Sequence, residues 1–192
     1  MNTARSLTTT LISEADYLTS EQQATERHEY VRGQAYLIAR ASKRHNRIAM
    51  NCVVQMTLAT RNTACNVYAS EVKVHSEKYH CYYYPDVVVG CEPDEASDYI
   101  LEQPCLIVEV SSDSTLRKDY LEKLLAYQTM PSLQAYLIVA QDKIQVDMLV
   151  RSADGLWELQ QFNDLAAELN LPCPLMSLQV ATIYEGLELL AD

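Results

Sequence analysis

The sequence predicts a fold that contains both helices and strands, of the α/β class in the broad sense (α+β). In this fold a mixed β-sheet is flanked by helices. Segments with helical and strand periodicity follow in the order helix, hairpin, helix, strands, helix, strands, without internal repeats. The 192 residues are 48% apolar and 21% charged, with only 4 Gly and 6 Pro, which is ordinary for a globular protein. We therefore expect a single domain over residues 1–192.

The first third of the chain is predicted to form a short helix, a hairpin and a long helix. Ser13 is a good N-cap, and the acids that follow it suit the first turn of a helix. Residues 28–31 and 34–38 have the composition of two strands, and Gly33 between them supplies the positive φ of a tight turn. From about residue 44 to 61, apolar residues recur at three- and four-residue spacings without Pro or Gly, which predicts a helix.

The rest of the chain is predicted to be strands with one further helix. Leu121, Leu124 and Leu125 fall on one face of a helix. This helix is expected to span roughly residues 115–129 and to end before Pro131. Segments with strand composition lie near residues 65–68, 72–74, 83–90, 105–111, 135–140, 144–150 and 157–162.

The sequence lacks the features of a membrane protein and gives no support to nucleotide binding. No apolar run approaches the ~20 residues of a membrane helix, and the first residues lack a signal-peptide core. There is no Walker loop and no Gly-x-Gly-x-x-Gly motif for a nucleotide. We therefore expect a cytoplasmic protein that does not associate with membranes.

The cysteines are expected to be reduced thiols. They form no Cys-x-x-Cys pair and have no His at zinc-finger spacing, so a structural zinc site is not expected. Several lie in apolar strand-like or helical segments, where free Cys behaves as a small hydrophobe. The six are Cys52, Cys65, Cys81, Cys91, Cys105 and Cys173.

The charge distribution leaves nucleic-acid binding open despite a net charge of −11. Six of the 15 Lys and Arg lie between Arg27 and Arg47. Phosphate contacts require such a basic patch, although these charges could equally form a solvated face. The residues expected to contact nucleic acid are Lys43, Arg44, His45 and Arg47.

Two acidic residues lie in apolar strand segments. Asp86 opens the run Val87-Val88-Val89, and Glu109 lies inside residues 106–110. A buried ionised carboxylate without a partner is costly, so such a group is normally paired, protonated or bound to a metal. If the two strands are neighbours, the carboxylates converge at one end of the sheet, as a Mg²⁺ or Mn²⁺ site requires. The alternative is that Asp86 is a turn acid and that Glu109 pairs with an Arg.

Further motifs resemble those of a nuclease superfamily. Asp followed by Glu-x-Lys on the next strand is the signature of the PD-(D/E)XK phosphodiesterases, and Tyr84-Pro85-Asp86 resembles its first half. The chain is more similar still to the Uma family of putative restriction-endonuclease-like proteins, over a core of roughly residues 10–185. The motifs that carry this resemblance are His28 to Gly33, Arg44-His45-Asn46, Val108-Glu109-Val110 with Ser114-Thr115, then Asp119, Lys123 and Tyr127, and Pro131 to Tyr136.

The resemblance implies a restriction-endonuclease-like fold and an endonuclease that hydrolyses DNA phosphodiester bonds with a metal ion. It implies that Asp86, Glu109 and the carbonyl of Val110 hold Mg²⁺ or Mn²⁺. Glu29 would bind the metal through water or hold a second ion. DNA is therefore the expected partner, and a homodimer is left open.

One departure from the superfamily pattern keeps two alternatives open. Ser111 stands where the superfamily has its lysine, and the Uma pattern places that lysine at Lys123, where it would orient the attacking water. The first alternative is a non-catalytic binding or assembly module with the same fold. The second is a metal-dependent hydrolase of a smaller phosphodiester, which fits a pI near 4.7. No recognition module indicates which bases would be read.

Overall fold

The computed structural model describes residues 11–92, 97–112 and 119–188, with only the backbone at residues 119 and 120. Its helices are α1 (Glu14–Glu21), α2 (Lys43–Ala59), a π-helical turn (Asp119–Lys123) that continues into α3 (Leu124–Tyr127), and α4 (Val180–Ile183). Among these described helices, none has the length and apolar character needed to cross a bilayer. The strands are β1 (His28–Val31), β2 (Gln34–Leu37), β3 (Asn66–Tyr68), β4 (Lys73–Ser76), β5 (Cys81–Tyr83), β6 (Val87–Gly90), β7 (Ile100–Leu101), β8 (Pro104–Ser111), β9 (Ala135–Ala140), β10 (Val146–Arg151), β11 (Trp157–Phe162), β12 (Glu168–Pro172) and β13 (Leu175–Gln179).

The strands form two mixed sheets and a separate hairpin. The central sheet has six strands in the order β11-β10-β9-β8-β6-β3, and β8 and β9 run parallel within it. The second sheet has five strands in the order β2-β1-β5-β4-β7. Within the described residues, β12 and β13 form a two-stranded sheet of their own. The prediction of a mixed sheet flanked by helices is confirmed, and a second sheet is added to it.

The two faces of the central sheet pack against different layers. Because side chains alternate along a strand, Leu106, Val108 and Val110 of β8 all point to the face covered by α2, α4 and the β12-β13 hairpin. Ile107 points to the opposite face and packs there with Tyr127. Glu109 shares that second face near the end of β8, so its carboxylate lies between the two sheets.

Local sequence signals explain where the first elements begin and turn. The Oγ of Ser13 accepts a hydrogen bond from the N–H of Asp16 at the start of α1. The Oγ of Ser42 accepts one from the N–H of His45 at the start of α2. Gly33 has a φ of 92° in the turn between β1 and β2. These features confirm the predicted helix, hairpin and long helix.

The strand predicted at residues 83–90 is wrong. It is two strands, since β5 belongs to the second sheet and β6 to the central sheet. Pro85 lies between them and has no N–H to donate to a strand ladder, so the chain leaves one sheet and enters the other at this point. This break places Asp86 at the boundary between the two sheets.

The predicted apolar face of the third helix is also wrong. Leu121 and Leu125 are 55% and 52% exposed, whereas Lys123 and Tyr127 are buried. The polar groups of Lys123 and Tyr127 find partners in the interior, so their side chains fill the inward face. Leu124 is partly buried against the core, and Leu121 and Leu125 face solvent. Residues 115–118, where the helix was predicted to begin, lie outside the described residues.

The expectation of reduced cysteines is wrong for four of the six. Two disulfides join Cys65 to Cys91 and Cys105 to Cys173. Their partners are 26 and 68 residues apart, so no local spacing motif indicates them. Cys52 and Cys81 are free and buried, as small hydrophobes are expected to be.

Candidate active site

A cleft of about 730 Å³ lies where the ends of the two sheets meet. Besides Glu26, Arg27 and Arg40, its walls carry three carboxylates, one ammonium and one imidazole. These come from β1, the β5-β6 connection, β8, the third helix and the start of α2, so the cleft exists only in the folded chain. The five residues are Glu29, Asp86, Glu109, Lys123 and His45.

Asp86 is held beside the end of β8. Strand β6 pairs antiparallel with β8, with Val87 opposite Val108, so Asp86 lies level with Glu109. Its Oδ2 accepts a hydrogen bond from the N–H of Val110 at 2.7 Å. Its Oδ1 lies 2.7 Å from Nε2 of His45. Since an ionised carboxylate only accepts hydrogen bonds, this nitrogen carries the proton.

Glu109 is 4% exposed and is held by two donors from one helix. Its Oε1 lies 2.8 Å from Nζ of Lys123 and 2.9 Å from the hydroxyl of Tyr127. Burial, and then the negative charge of Glu109, raise the pKa of Tyr127 well above its ordinary value. Tyr127 therefore keeps its proton and acts as a fixed donor to Glu109.

Lys123 joins the two sheets through a buried ion pair on each side. Its Nζ lies 3.1 Å from Oε1 of Glu29 in β1, in addition to the contact with Glu109. Lys123 and Glu29 are both 6% exposed, and the ammonium also lies 5.6 Å from the ring centre of Tyr83. Two carboxylates and an aromatic ring thus fix the position of this ammonium.

The cluster formed by Glu29, Asp86, Glu109, Lys123 and His45 is rich in negative charge. Its carboxylates outnumber its cations even when His45 is protonated. Carboxylates packed this closely repel one another, and an added cation relieves the repulsion. The donor set consists of hard oxygen atoms, which suit Mg²⁺ or Mn²⁺.

The residues expected to contact nucleic acid are separated by the fold. Lys43 and Arg47 are exposed on the first turns of α2. Arg44 instead donates to the carbonyl of Glu188 at 2.7 Å, which ties α2 to the chain beyond α4. His45 reaches Asp86 and belongs to the cleft. Arg40, which also lines the cleft, is exposed near them.

Ser111 occupies the position of the superfamily lysine but does not take over the role of that lysine. Its side chain is buried, and its Oγ finds no hydrogen-bond partner among the described residues. The ammonium near Glu109 comes from Lys123 instead. Lys118, the nearest other lysine on the same segment, lies outside the described residues.

Two tyrosines at the site, Tyr84 and Tyr127, were named in the sequence motifs but were given no role. Tyr127 follows Lys123 by one helical turn, and that i, i+4 spacing could have indicated a shared target. Tyr84 lines the cleft, and its hydroxyl lies 3.2 Å from both Nζ of Lys73 and Oε1 of Glu21. Nothing in the sequence indicates this network, because its members lie on three separate elements.

Comparisons with known proteins show the family and the fold of the chain. The family model Uma2, described as a putative restriction endonuclease, matches residues 14–182. The uncharacterized protein slr1290 of Synechocystis sp. (strain PCC 6803) is 33% identical over 180 residues, covering 92% of this chain and 93% of that protein. The uncharacterized protein sll1609 of the same organism is 32% identical over 165 residues, covering 84% and 93%. A crystal structure from Anabaena variabilis, described as a putative nuclease, superposes with a TM-score of 0.68 at 16% identity, covering 90% of this chain and 97% of that one.

Proposed function

Because this chain belongs to the Uma2 family of putative restriction endonucleases, we propose that it is a metal-dependent endonuclease acting on DNA. One observation carries the proposal. The ammonium of Lys123 lies 2.8 Å from Glu109 in a cleft that also contains Asp86, which directly precedes the strand next to that of Glu109. Two acids that can hold a metal ion and a lysine that can orient a water molecule suit the hydrolysis of a phosphodiester.

The carboxylates fit a hard divalent ion. Each carboxylate oxygen has two lone pairs, and the hydrogen bonds from Val110 and His45 use one on each oxygen of Asp86. Asp86, Glu109 and the carbonyl of Val110 would hold Mg²⁺ or Mn²⁺, and Glu29 would contribute through water or hold a second ion. Such an ion, when bound, lowers the pKa of a water molecule and offsets charge on the phosphate.

Lys123 and its neighbours would supply positioning. Its ammonium carries three N–H donors on one nitrogen, and its contacts with Glu29 and Glu109 fix where that nitrogen stands in the cleft. We assign it the role of orienting the water that attacks phosphorus. His45 would hold Asp86 in place, and Tyr127 would hold Glu109. Groups that position a reactant or transfer a proton contribute about 10²- to 10⁴-fold to a rate.

DNA would approach along the exposed cations beside the cleft. Arg40 lines the cleft, and Lys43 and Arg47 follow on the exposed first turns of α2. Sugar-phosphate contacts of this kind position a duplex without reading its sequence. The acidic character of the rest of the chain would favour binding through this one patch.

The proposal is tested by incubating supercoiled plasmid with the protein and Mg²⁺ or Mn²⁺. The parent should nick or linearise the plasmid, and Glu109→Gln should lose this activity while keeping its fold by circular dichroism. Chelation of the metal should stop the parent. A folded parent that leaves plasmid, linear duplex and single-stranded DNA intact with either metal would contradict the proposal.

A small phosphodiester is a second candidate substrate. Arg27, which lines the cleft, is already paired with Glu71 at 2.9 Å, and Arg44 is used to hold Glu188, so the basic surface is smaller than the sequence suggests. Bis(p-nitrophenyl) phosphate distinguishes the two candidates. Hydrolysis of this compound without DNA cleavage, lost again in Glu109→Gln, would favour the small substrate.

A further inference from the structure

Four cysteines form a cluster at the end of the central sheet that is opposite the cleft. Strand β6 begins after Asp86 and ends before Cys91, and antiparallel β8 carries Cys105 near its start and Glu109 near its end. Cys65 precedes β3, opposite Cys91 on the neighbouring strand. Cys173 lies in the turn between β12 and β13. The cluster therefore joins four chain segments and plays no part in the chemistry of the cleft.

The sulfur atoms of the two disulfides are in contact with one another. Sγ of Cys91 lies 3.4 Å from Sγ of Cys105 and 3.3 Å from Sγ of Cys173. The sulfur atoms of Cys65, Cys91 and Cys173 all lie within 4.8 Å of each other. Sγ of Cys91 thus lies in contact with the sulfur atoms of the other three cysteines. By contrast, Cys52 in α2 and Cys81 in β5 belong to neither disulfide.

These separations suit a tetrahedral metal centre. With Zn–S bonds of about 2.3 Å, the four sulfurs of a tetrahedral zinc site lie about 3.8 Å apart. The two contacts that Cys91 makes between the disulfides, 3.4 and 3.3 Å, are already close to that value. Opening the two S–S bonds and rotating the cysteine side chains would complete the geometry. Cys65 and Cys91 are partly exposed, which gives a reductant and a metal ion access to the cluster.

We propose that reduction of the two disulfides converts this cluster into a four-cysteine zinc site. Each disulfide takes two electrons and two protons from a dithiol reductant, which itself becomes a disulfide. Zn²⁺ then displaces the thiol protons and binds four thiolates. In both states the cluster fastens the β12-β13 hairpin to β8 of the central sheet, by the Cys105–Cys173 disulfide or through the metal.

Spacing rules could not indicate such a site. Zinc motifs are recognised when ligands come in close pairs, as in Cys-x-x-Cys, whereas these four cysteines come from four separate segments. Only the pairing of β3 with β6 and of β6 with β8, and the packing of the hairpin against them, brings the sulfurs together.

Metal analysis of the reduced protein tests the proposal. The full chain is reduced without oxygen, incubated with excess Zn²⁺, passed over a desalting column and analysed for metal. The parent should retain one zinc ion per chain, and Cys65→Ser and Cys173→Ser should each lose it. Cys52→Ser and Cys81→Ser are the matched controls and should retain it. Asp86→Ala should also retain it, which separates this site from the carboxylates of the cleft.

Substitution of Co²⁺ provides a readout that depends on no variant. Cobalt bound by four thiolates gives an intense sulfur-to-metal charge-transfer band, which carboxylate ligation does not give. The reduced parent should show this band at a stoichiometry of one. Its absence would overturn the proposal, as would undiminished zinc in folded Cys65→Ser and Cys173→Ser or loss of zinc in Asp86→Ala.

Discussion

Replacing Lys123 by methionine tests the buried ion-pair network at the centre of the site. Methionine keeps most of the apolar stem but removes the ammonium that contacts Glu109 and Glu29, both nearly inaccessible to water. Removing one partner of a buried ion pair costs about 3–5 kcal/mol, because the remaining charge is left uncompensated. Tyr127 still donates to Glu109 and limits the loss. We therefore expect the free energy of unfolding to fall by about 3–5 kcal/mol in the absence of metal.

Urea denaturation, followed by circular dichroism, measures this loss. With an m-value of about 2 kcal/mol per molar urea, the midpoint of unfolding should fall by about 2 M. Mn²⁺ should raise the midpoint of Lys123→Met by more than that of the parent, since a cation can replace the missing charge. The metal should not restore function, and plasmid cleavage should stay at least ~10²-fold below the parent.

Lys143→Met is the matched control, because Lys143 is exposed outside the cleft. Its free energy of unfolding should stay within about 0.5 kcal/mol of the parent value. A Lys123→Met protein as stable as this control would refute the reasoning, and so would equal stabilisation of parent and variant by Mn²⁺. Either result would mean that the ammonium does not balance the two buried carboxylates.

Three further predictions concern metal, DNA and alkaline pH. Asp86→Asn should abolish stoichiometric Mn²⁺ binding in titration calorimetry, and binding equal to that of the parent would place the metal elsewhere. Changing Lys43 and Arg47 to Glu should weaken DNA binding and make the slope of log K against log salt concentration shallower by about 2. Arg61→Glu, just beyond the far end of α2, should change neither the affinity nor the slope. Fluorescence anisotropy measures both quantities. Burial raises the pKa of several tyrosines in the folded chain, so above about pH 10 these tyrosines ionise in the unfolded chain before they ionise in the folded one. In that pH range each such tyrosine should lower the free energy of unfolding by about 1.4 kcal/mol per pH unit. Denaturation at pH 9, 10 and 11 checks this, and an unchanged free energy would contradict it; the tyrosines are Tyr17, Tyr83, Tyr84, Tyr127 and Tyr184.

The alternation of side chains along β8 made much of the site predictable. An acid inside an apolar segment has few stable arrangements, so Asp86 and Glu109 could be singled out by their positions in the sequence. The pairing of the two strands was only assumed from the sequence, and the structure has β6 beside β8. Strand β8 has Ser111 where the superfamily has its lysine, and the resemblance to the Uma pattern indicated Lys123 instead. The catalytic roles of these residues stay predictions.

The features that sequence reasoning missed depend on contacts between distant segments. The predicted leucine face failed because periodicity ranks residues by apolarity, whereas the helix buries Lys123 and Tyr127 against partners on other elements. The hairpin β12-β13 was missed although every second residue of β12 is buried, which is the pattern of a half-buried strand. Its place in the fold depends on packing against α2, which is distant in the chain. The cysteine cluster was missed for the same reason, since its sulfurs meet only after both β-sheet pairing and hairpin packing.

The most direct test of the account is to locate the metal itself. Crystals of the protein soaked in Mn²⁺ would give an anomalous difference map that marks every bound ion. We expect a peak about 2.1 Å from carboxylate oxygens of both Asp86 and Glu109. A map with no peak between these two residues, from a crystal in which the cleft is open to solvent, would contradict the central claim.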